Sequence, residues 1–290
     1  MDRNQATGLV VISLMLILYF QFFGGQPEQP VEESTTTIEL ADTSNDVQAT
    51  NEASPAQLNA GTISAQDSLL FAQEQARYGA LAGAVMGDEQ LKTIENEDIE
   101  VTFTSKGGKI QDVLLKEYLT YDQQPLLLMD KNSSKTTLIA LDRGQQIDLH
   151  QLYYSLNTKV VNDTTQVIYE IKNAQGGFIK QVYSVPPSGY VIGYSIQTSG
   201  FDYLFNDDVQ FNWLNNLKSF EKDPVTSRIK TTVDYYLTDG SYDDLGERSS
   251  DFDSESLTNV KWFAFKQHFF TTGFIAENKF NAATFTQEVR

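Results

Sequence analysis

The run Ile99-Glu100-Val101-Thr102-Phe103-Thr104 alternates apolar and polar side chains, breaks at Lys106-Gly107-Gly108-Lys109, and resumes over Ile110 to Leu115. Successive side chains of a strand point to opposite faces, so this alternation describes a half-buried strand, a turn and a second strand. The same period-two pattern returns in Val167, Tyr169 and Ile171, and again in Tyr190, Ile192, Tyr194 and Ile196. Asn162-Asp163, Gln175-Gly176-Gly177, Pro186-Pro187-Ser188-Gly189 and Asp239-Gly240 separate these runs at hairpin-like spacing. No long helical period lies between the strands, which disfavours a parallel layout with crossover helices. Residues 90–290 therefore read as an all-β domain, an antiparallel sandwich.

Upstream of that domain the composition changes. Residues 64–89 hold a short helical or linker segment. In it, a helix over about Ser64 to Met86 is predicted from an imperfect apolar stripe of Leu69, Leu70, Ala72, Ala76, Leu81 and Ala84, with Gly87 as its stop. Residues 24–63 open on Gly24-Gly25-Gln26-Pro27 and continue in Thr, Ser, Asn, Asp, Glu and Ala, a composition that cannot bury enough surface to offset the entropy of ordering it. They read as a flexible acidic tether. Residues 6–23 carry no charge and include Val10, Val11, Ile12, Leu14, Leu16, Ile17, Leu18, Phe22 and Phe23. Eighteen helical residues span about 27 Å, close to the hydrocarbon thickness of a bilayer. Phe22-Phe23-Gly24-Gly25 offers no pair of small residues for signal cleavage, so the helix reads as a retained transmembrane anchor in the lipid bilayer. After Arg3 no basic residue follows until Arg77, which places residues 1–5 in the cytoplasm and the rest outside it.

Charge and cysteine content narrow the chemistry. The formal charge is −18 over 290 residues; residues 24–98 carry −12 of it and residues 99–290 carry −6. A basic footprint for nucleic acid is missing. The absence of cysteine removes disulfides, thiolate nucleophiles and cysteine-ligated zinc. His150 and His268 have no carboxylate at motif spacing and read as structural histidines. Asp251-Phe252-Asp253-Ser254-Glu255 resembles a calcium loop only in its first residues, since Ser256 stands where such a loop needs glycine and Trp262 where it needs glutamate. The acidic stretch Asp239 to Glu255 is accordingly expected to be a solvated loop. No catalytic, cofactor-binding or metal-ligating residue is assigned, and no cofactor is implied.

Three stretches together resemble one family. Met1-Asp2-Arg3-Asn4 leading straight into the anchor, Ser105-Lys106-Gly107-Gly108-Lys109-Ile110 with Val113-Leu114-Leu115-Lys116-Glu117-Tyr118, and Val260-Lys261-Trp262-Phe263-Ala264-Phe265-Lys266-Gln267-His268-Phe269-Phe270 are similar in order and spacing to YidC-type membrane protein insertases (the YidC/Oxa/Alb family) of the Bacteroidetes lineage. The strand pair between Phe178 and Tyr194 agrees with it. The resemblance implies an N-terminal anchor in the bacterial inner membrane and a periplasmic β-supersandwich. It further implies five membrane helices with a hydrophilic groove that receives nascent integral membrane proteins, alone or with the Sec translocon and its SecDF accessory subunits. Such a protein inserts, folds and assembles membrane proteins and makes or breaks no bond. A polar, hydrated cavity within the bilayer lowers the cost of carrying polar flanks across hydrocarbon.

The sequence given stops at Arg290 before any second apolar run. It is expected to be an N-terminal fragment without the groove-forming helices and truncated at the end of its β-domain. Trp262 to Phe270 is expected to be a structural strand, with contact to Sec accessory proteins as a lesser reading. Two alternatives stand beside this: a signal-anchored carbohydrate-binding or mutarotase-like periplasmic protein, and an envelope scaffold. The first requires a histidine and a carboxylate converging in an aromatic cleft.

Overall fold

A computed structural model describes residues 69, 72–73, 76–246 and 252–288. The expected cytoplasmic end (1–5), anchor (6–23) and tether (24–63) lie outside these residues, as do Leu70 and Asp251. Among the described residues no helix is long and apolar enough to cross a membrane.

The described chain is all β, and every strand pair is antiparallel. The first sheet is a meander of β1 (Leu91–Glu95), β2 (Ile99–Thr104), β3 (Lys109–Leu119) and β4 (Pro125–Met129). A second contains β5 (Ser134–Asp142) and β6 (Gln145–Asp148), joined by β11 (Gln210–Asn215) on the far side of β5. A third meander holds β7 (Ser155–Val161), β8 (Thr164–Lys172), β9 (Phe178–Val185) and β10 (Gly193–Ser199). The fourth, in the order β13-β12-β14-β15, comprises β12 (Thr232–Leu237), β13 (Tyr242–Gly246), β14 (Phe252–Lys266) and β15 (Thr271–Glu288). One short helix, Pro224–Ile229, precedes the fourth sheet; Asp223 caps it through the amides of Val225 and Thr226.

The alternating residues that opened the reading are core residues. Ile99, Val101 and Phe103 are buried together with Val167, Tyr169, Ile179, Tyr183 and Phe201 in the larger apolar cluster. Phe103 meets Tyr183 at 5.0 Å between ring centroids. A smaller cluster of Val233, Tyr235, Leu245, Val260 and Phe285 sits in the fourth sheet. The Gly107-Gly108 turn also pins the first sheet to the third. The Gln181 amide donates to the Gly107 carbonyl at 2.7 Å, and the Tyr183 hydroxyl donates to the Gly108 carbonyl at 2.9 Å. Both glycines have positive φ (87° and 56°), and a Cβ on Gly107 would lie 2.7 Å from the His150 carbonyl oxygen.

The structure corrects three expectations. The helix does not run regularly to Gly87. Helical turns at 76–78 pass into a 3-10 helix at Gly79–Ala84, because Gly79 takes a φ of 51°. Leu81, Ala82 and Ala84 are buried, while Leu69, Ala72 and Ala76 are exposed. Gly87 serves close approach instead of a helix stop: a Cβ there would lie 2.7 Å from that of Tyr153. Next, Tyr190 and Ile192 precede their expected strand, which begins at Gly193. Asn96 holds that connection, its amide donating to the carbonyls of Pro186 at 3.1 Å and Gly189 at 2.9 Å. Last, much of the acidic stretch Asp239 to Glu255 is strand and not a solvated loop. Its backbone pairs in β13 and the start of β14, where charged side chains can still reach water from an exposed face. Asp239 remains a turn residue, accepting from the Ser241 amide at 2.9 Å.

Candidate functional site: an aromatic groove beside two sheet edges

β11 alternates Phe211 and Trp213 with Gln210, Asn212 and Leu214. Its polar side chains tie it to β5. Asn212 donates to the Thr137 hydroxyl at 2.8 Å, and the Trp213 indole N–H donates to the Ser134 hydroxyl at 2.8 Å. With its N–H satisfied, the indole is free to pack its rings on apolar partners. Those partners come from the β14–β15 hairpin: Trp213 meets Phe265 at 4.9 Å and Phe274 at 5.7 Å, and Phe211 meets Phe274 at 5.0 Å. Phe263 continues the cluster to Phe280 at 5.6 Å and Phe285 at 5.3 Å.

Beside this cluster opens a groove of about 1320 Å³. Its walls are residues 208–219 on one side and 280–288 on the other, with residues near the short helix, Phe263 and Phe265 completing it. Two contacts tie the wall of residues 208–219 to the β14–β15 hairpin. Asn281 donates to the Asp208 carboxylate at 2.9 Å, and Gln267 donates to the Lys218 carbonyl at 2.6 Å. Lys218 pairs in turn with Asp130, and this pairing holds the Asp130 carboxyl down at about 2. The charged lining residues are Asp208, Lys218, Arg228 and Glu288, two of each sign.

Neither histidine lines the groove, although His150 meets the wall residue Phe211 edge-on at 6.3 Å. His150 is buried in the larger core, its Nδ1 3.0 Å from the Thr136 hydroxyl. Burial first, and the nearby Lys109 ammonium second, press its imidazole down to about 4. His268 does sit beside a carboxylate, Nδ1 to Glu221 Oε2 at 3.0 Å, and stacks on Phe269 at 4.1 Å. His268 occupies the exposed turn between β14 and β15, Glu221 lies between β11 and the short helix, and neither lines the groove. The histidine–carboxylate convergence that a mutarotase-like cleft requires is therefore not formed in the groove. No group of histidines and carboxylates with metal-site spacing occurs among the described residues.

The strand expected over Trp262 to Phe270 ends at Lys266, the last four residues forming the turn into β15, and the stretch divides by face. Trp262 stacks on Tyr236 at 5.8 Å with nearly parallel rings, while Phe263 and Phe265 contribute to the groove and Phe270 packs edge-on against Phe220 and Tyr118. Sequence reading missed β11 and its Trp213, although Phe211 and Trp213 carried the period-two signal used elsewhere.

Antiparallel sheets with an aromatic groove beside two of them define a β-sandwich domain. Residues 92–290 match the family model described as YidC periplasmic domain, and the chain belongs to that family. It is 32% identical over 278 residues to the membrane protein insertase YidC of Cytophaga hutchinsonii, covering 94% of this chain and 42% of that protein. The insertase YidC of Amoebophilus asiaticus is 30% identical over 296 residues, covering 97% and 45%, and that of Phocaeicola vulgatus 28% over 291 residues, covering 99% and 44%. The chain thus spans under half the length of these relatives.

Proposed function

We propose that this chain supplies the membrane anchor and periplasmic domain of an insertase that helps insert, fold and assemble integral membrane proteins, alone or with the Sec translocon. The observation that carries the reading is the family match across 92–290, together with named insertases aligned over nearly the whole chain. In this reading residues 6–23 hold the chain in the inner membrane, 24–63 tether it, and the β-domain stands in the periplasm. The domain works by contact and not by bond chemistry, which agrees with a groove lined by aromatic, amide and hydroxyl groups. Contact with SecDF-type accessory subunits belongs to the same proposal and has its own readout, crosslinking from the β-domain surface.

The test is a domain exchange. Residues 92–290 replace the corresponding domain in the Cytophaga hutchinsonii insertase, and insertion of a labelled membrane protein is read by protease protection. The chimera is expected to insert as the parent does. If it performs no better than a version carrying an unrelated β-sandwich of equal size, the reading is lost.

A further inference from the structure

We propose that residues 216–223 form a strap that fastens the fourth sheet to the first, and that the His268–Glu221 pair is a latch on it that acid tightens. The proposal goes beyond the insertase reading and rests on contacts inside the β-domain.

The strap joins β11 to the short helix and is stitched along both sides. Toward the first sheet and the turn that leaves it, the Asn216 amide donates to the Ser133 carbonyl at 2.7 Å and the Tyr121 amide donates to the Phe220 carbonyl at 3.0 Å. The Lys218 ammonium donates to the Leu127 carbonyl at 3.1 Å. Toward the hairpin, Gln267 donates to the Lys218 carbonyl, and Phe220 packs edge-on against Phe270 at 5.7 Å. Phe220 itself is buried in the larger core. The strap can therefore lift only by giving up bonds to both sheets.

Two ion pairs close it, and they differ in kind. Lys218 holds the Asp130 carboxyl down at about 2, so this pair stays charged through the range in which histidine titrates. The second pair sets His268 Nδ1 3.0 Å from Glu221 Oε2. A neutral imidazole offers that carboxylate an ordinary hydrogen bond, whereas an imidazolium offers a charge-assisted one, about twice as strong. The Phe269 ring, stacked on His268 at 4.1 Å, favours the cation as well. Charged groups on the surrounding elements leave this balance in place. On the strap, Lys218 is committed to Asp130 and Asp223 to the helix amides, while Lys222 is exposed, where solvent and salt screen it. On β14, Lys266 lies 3.9 Å from Asp234. The end of β3 and the turn after it bring Glu117, Tyr118, Tyr121 and Asp122, and both carboxylates favour the imidazolium. Among the described residues Glu221 is the carboxylate that pairs with the imidazole.

Hydrogen exchange of the full chain in lipid nanodiscs, read by mass spectrometry as protection factors at pH 7.5 and pH 5.5, tests the latch. The reporters are the peptides that hold the Asn216 and Tyr121 amides, whose bonds break when the strap lifts. Their protection is expected to rise about two- to fivefold at the lower pH, the size of an exposed ion pair. His150 works in the opposite direction, because protonating it costs native stability, so a rise at the strap cannot come from it. His268→Gln and Glu221→Gln should each abolish the rise. His268→Lys, with a charge at both pH values, should show the raised protection at both. Unchanged or falling protection in the parent, or the same rise in His268→Gln, overturns the latch. A His268→Lys chain that gains nothing at pH 7.5 counts against charge as its cause. The parent's own response carries the test even where a variant folds poorly. None of these readouts involves insertion, so a failed latch leaves the insertase reading standing and a failed domain exchange leaves the latch standing.

Discussion

Two residues show how far local chemistry reaches. Gly107 was legible as a turn, but its partners Leu152, whose carbonyl accepts its amide at 2.7 Å, and Gln181 are distant in sequence. Sequence spacing carries no record of such contacts. Gly107→Ala should destabilise the fold by about 2 kcal/mol or more, because it adds a Cβ at positive φ and drives it into the His150 backbone. Chemical denaturation would show this as a lowered midpoint with an unchanged slope. His150 makes a different prediction. The unfolded imidazole titrates near 6.5 and the buried one near 4, so between these values the unfolded chain binds a proton that the native chain does not. Stability should fall as pH drops through that window, by at most roughly 3 kcal/mol. Denaturation midpoints at pH 7 and pH 4.5 check it: His150→Gln should lose less stability over the interval than the parent. Equal losses would remove His150 as the source.

At the scale of elements, strands with one wet face were readable and the long β14–β15 hairpin was not. Its acidic, hydroxyl-rich start resembles a loop because side chains there do little packing. Cross-strand contacts replace packing: Ser256 meets Thr284 at 2.9 Å between hydroxyls, and the Tyr235 hydroxyl donates to Glu255 at 2.6 Å. The register shifts between Val260 and Trp262, just after Asn259 takes a φ of 58°. Asn259→Gly should be nearly neutral, within about 0.5 kcal/mol, while the β-branched Asn259→Val should cost about 1–2 kcal/mol. Gly273 faces Ala264 across the same hairpin, where a Cβ would collide with the Phe263 carbonyl and lie 2.9 Å from the Ala264 Cβ. Gly273→Ala should therefore lower the thermal midpoint more than Asn259→Gly does. The reverse order would mean that the hairpin relaxes around the added methyl.

For the whole molecule, antiparallel β architecture followed from the alternation of apolar side chains, whereas the groove did not. Its walls lie some seventy residues apart in the chain, and β11 pairs with β5 after an excursion through the entire third sheet. Two apolar clusters result, one shared by the first three sheets and one within the fourth. Trp213 stands between them, bonded to β5 through Ser134 and packed on Phe265 and Phe274 of the fourth sheet. Removing it takes away contact area on one side and leaves the Ser134 hydroxyl to water on the other, a loss of at most about 3–5 kcal/mol for a fully buried tryptophan and less for this half-buried one. The larger cluster keeps its own contacts, so the cost should fall on the fourth sheet. In Trp213→Ala, amide hydrogen exchange is expected to accelerate across β12 to β15 while β7 to β10 keep their protection. Trp213→Phe should recover part of the difference, since an aromatic ring can still meet Phe265 without the bond to Ser134. Uniform acceleration over all four sheets would show a single cooperative unit and would take from Trp213 its place as the joint between two cores.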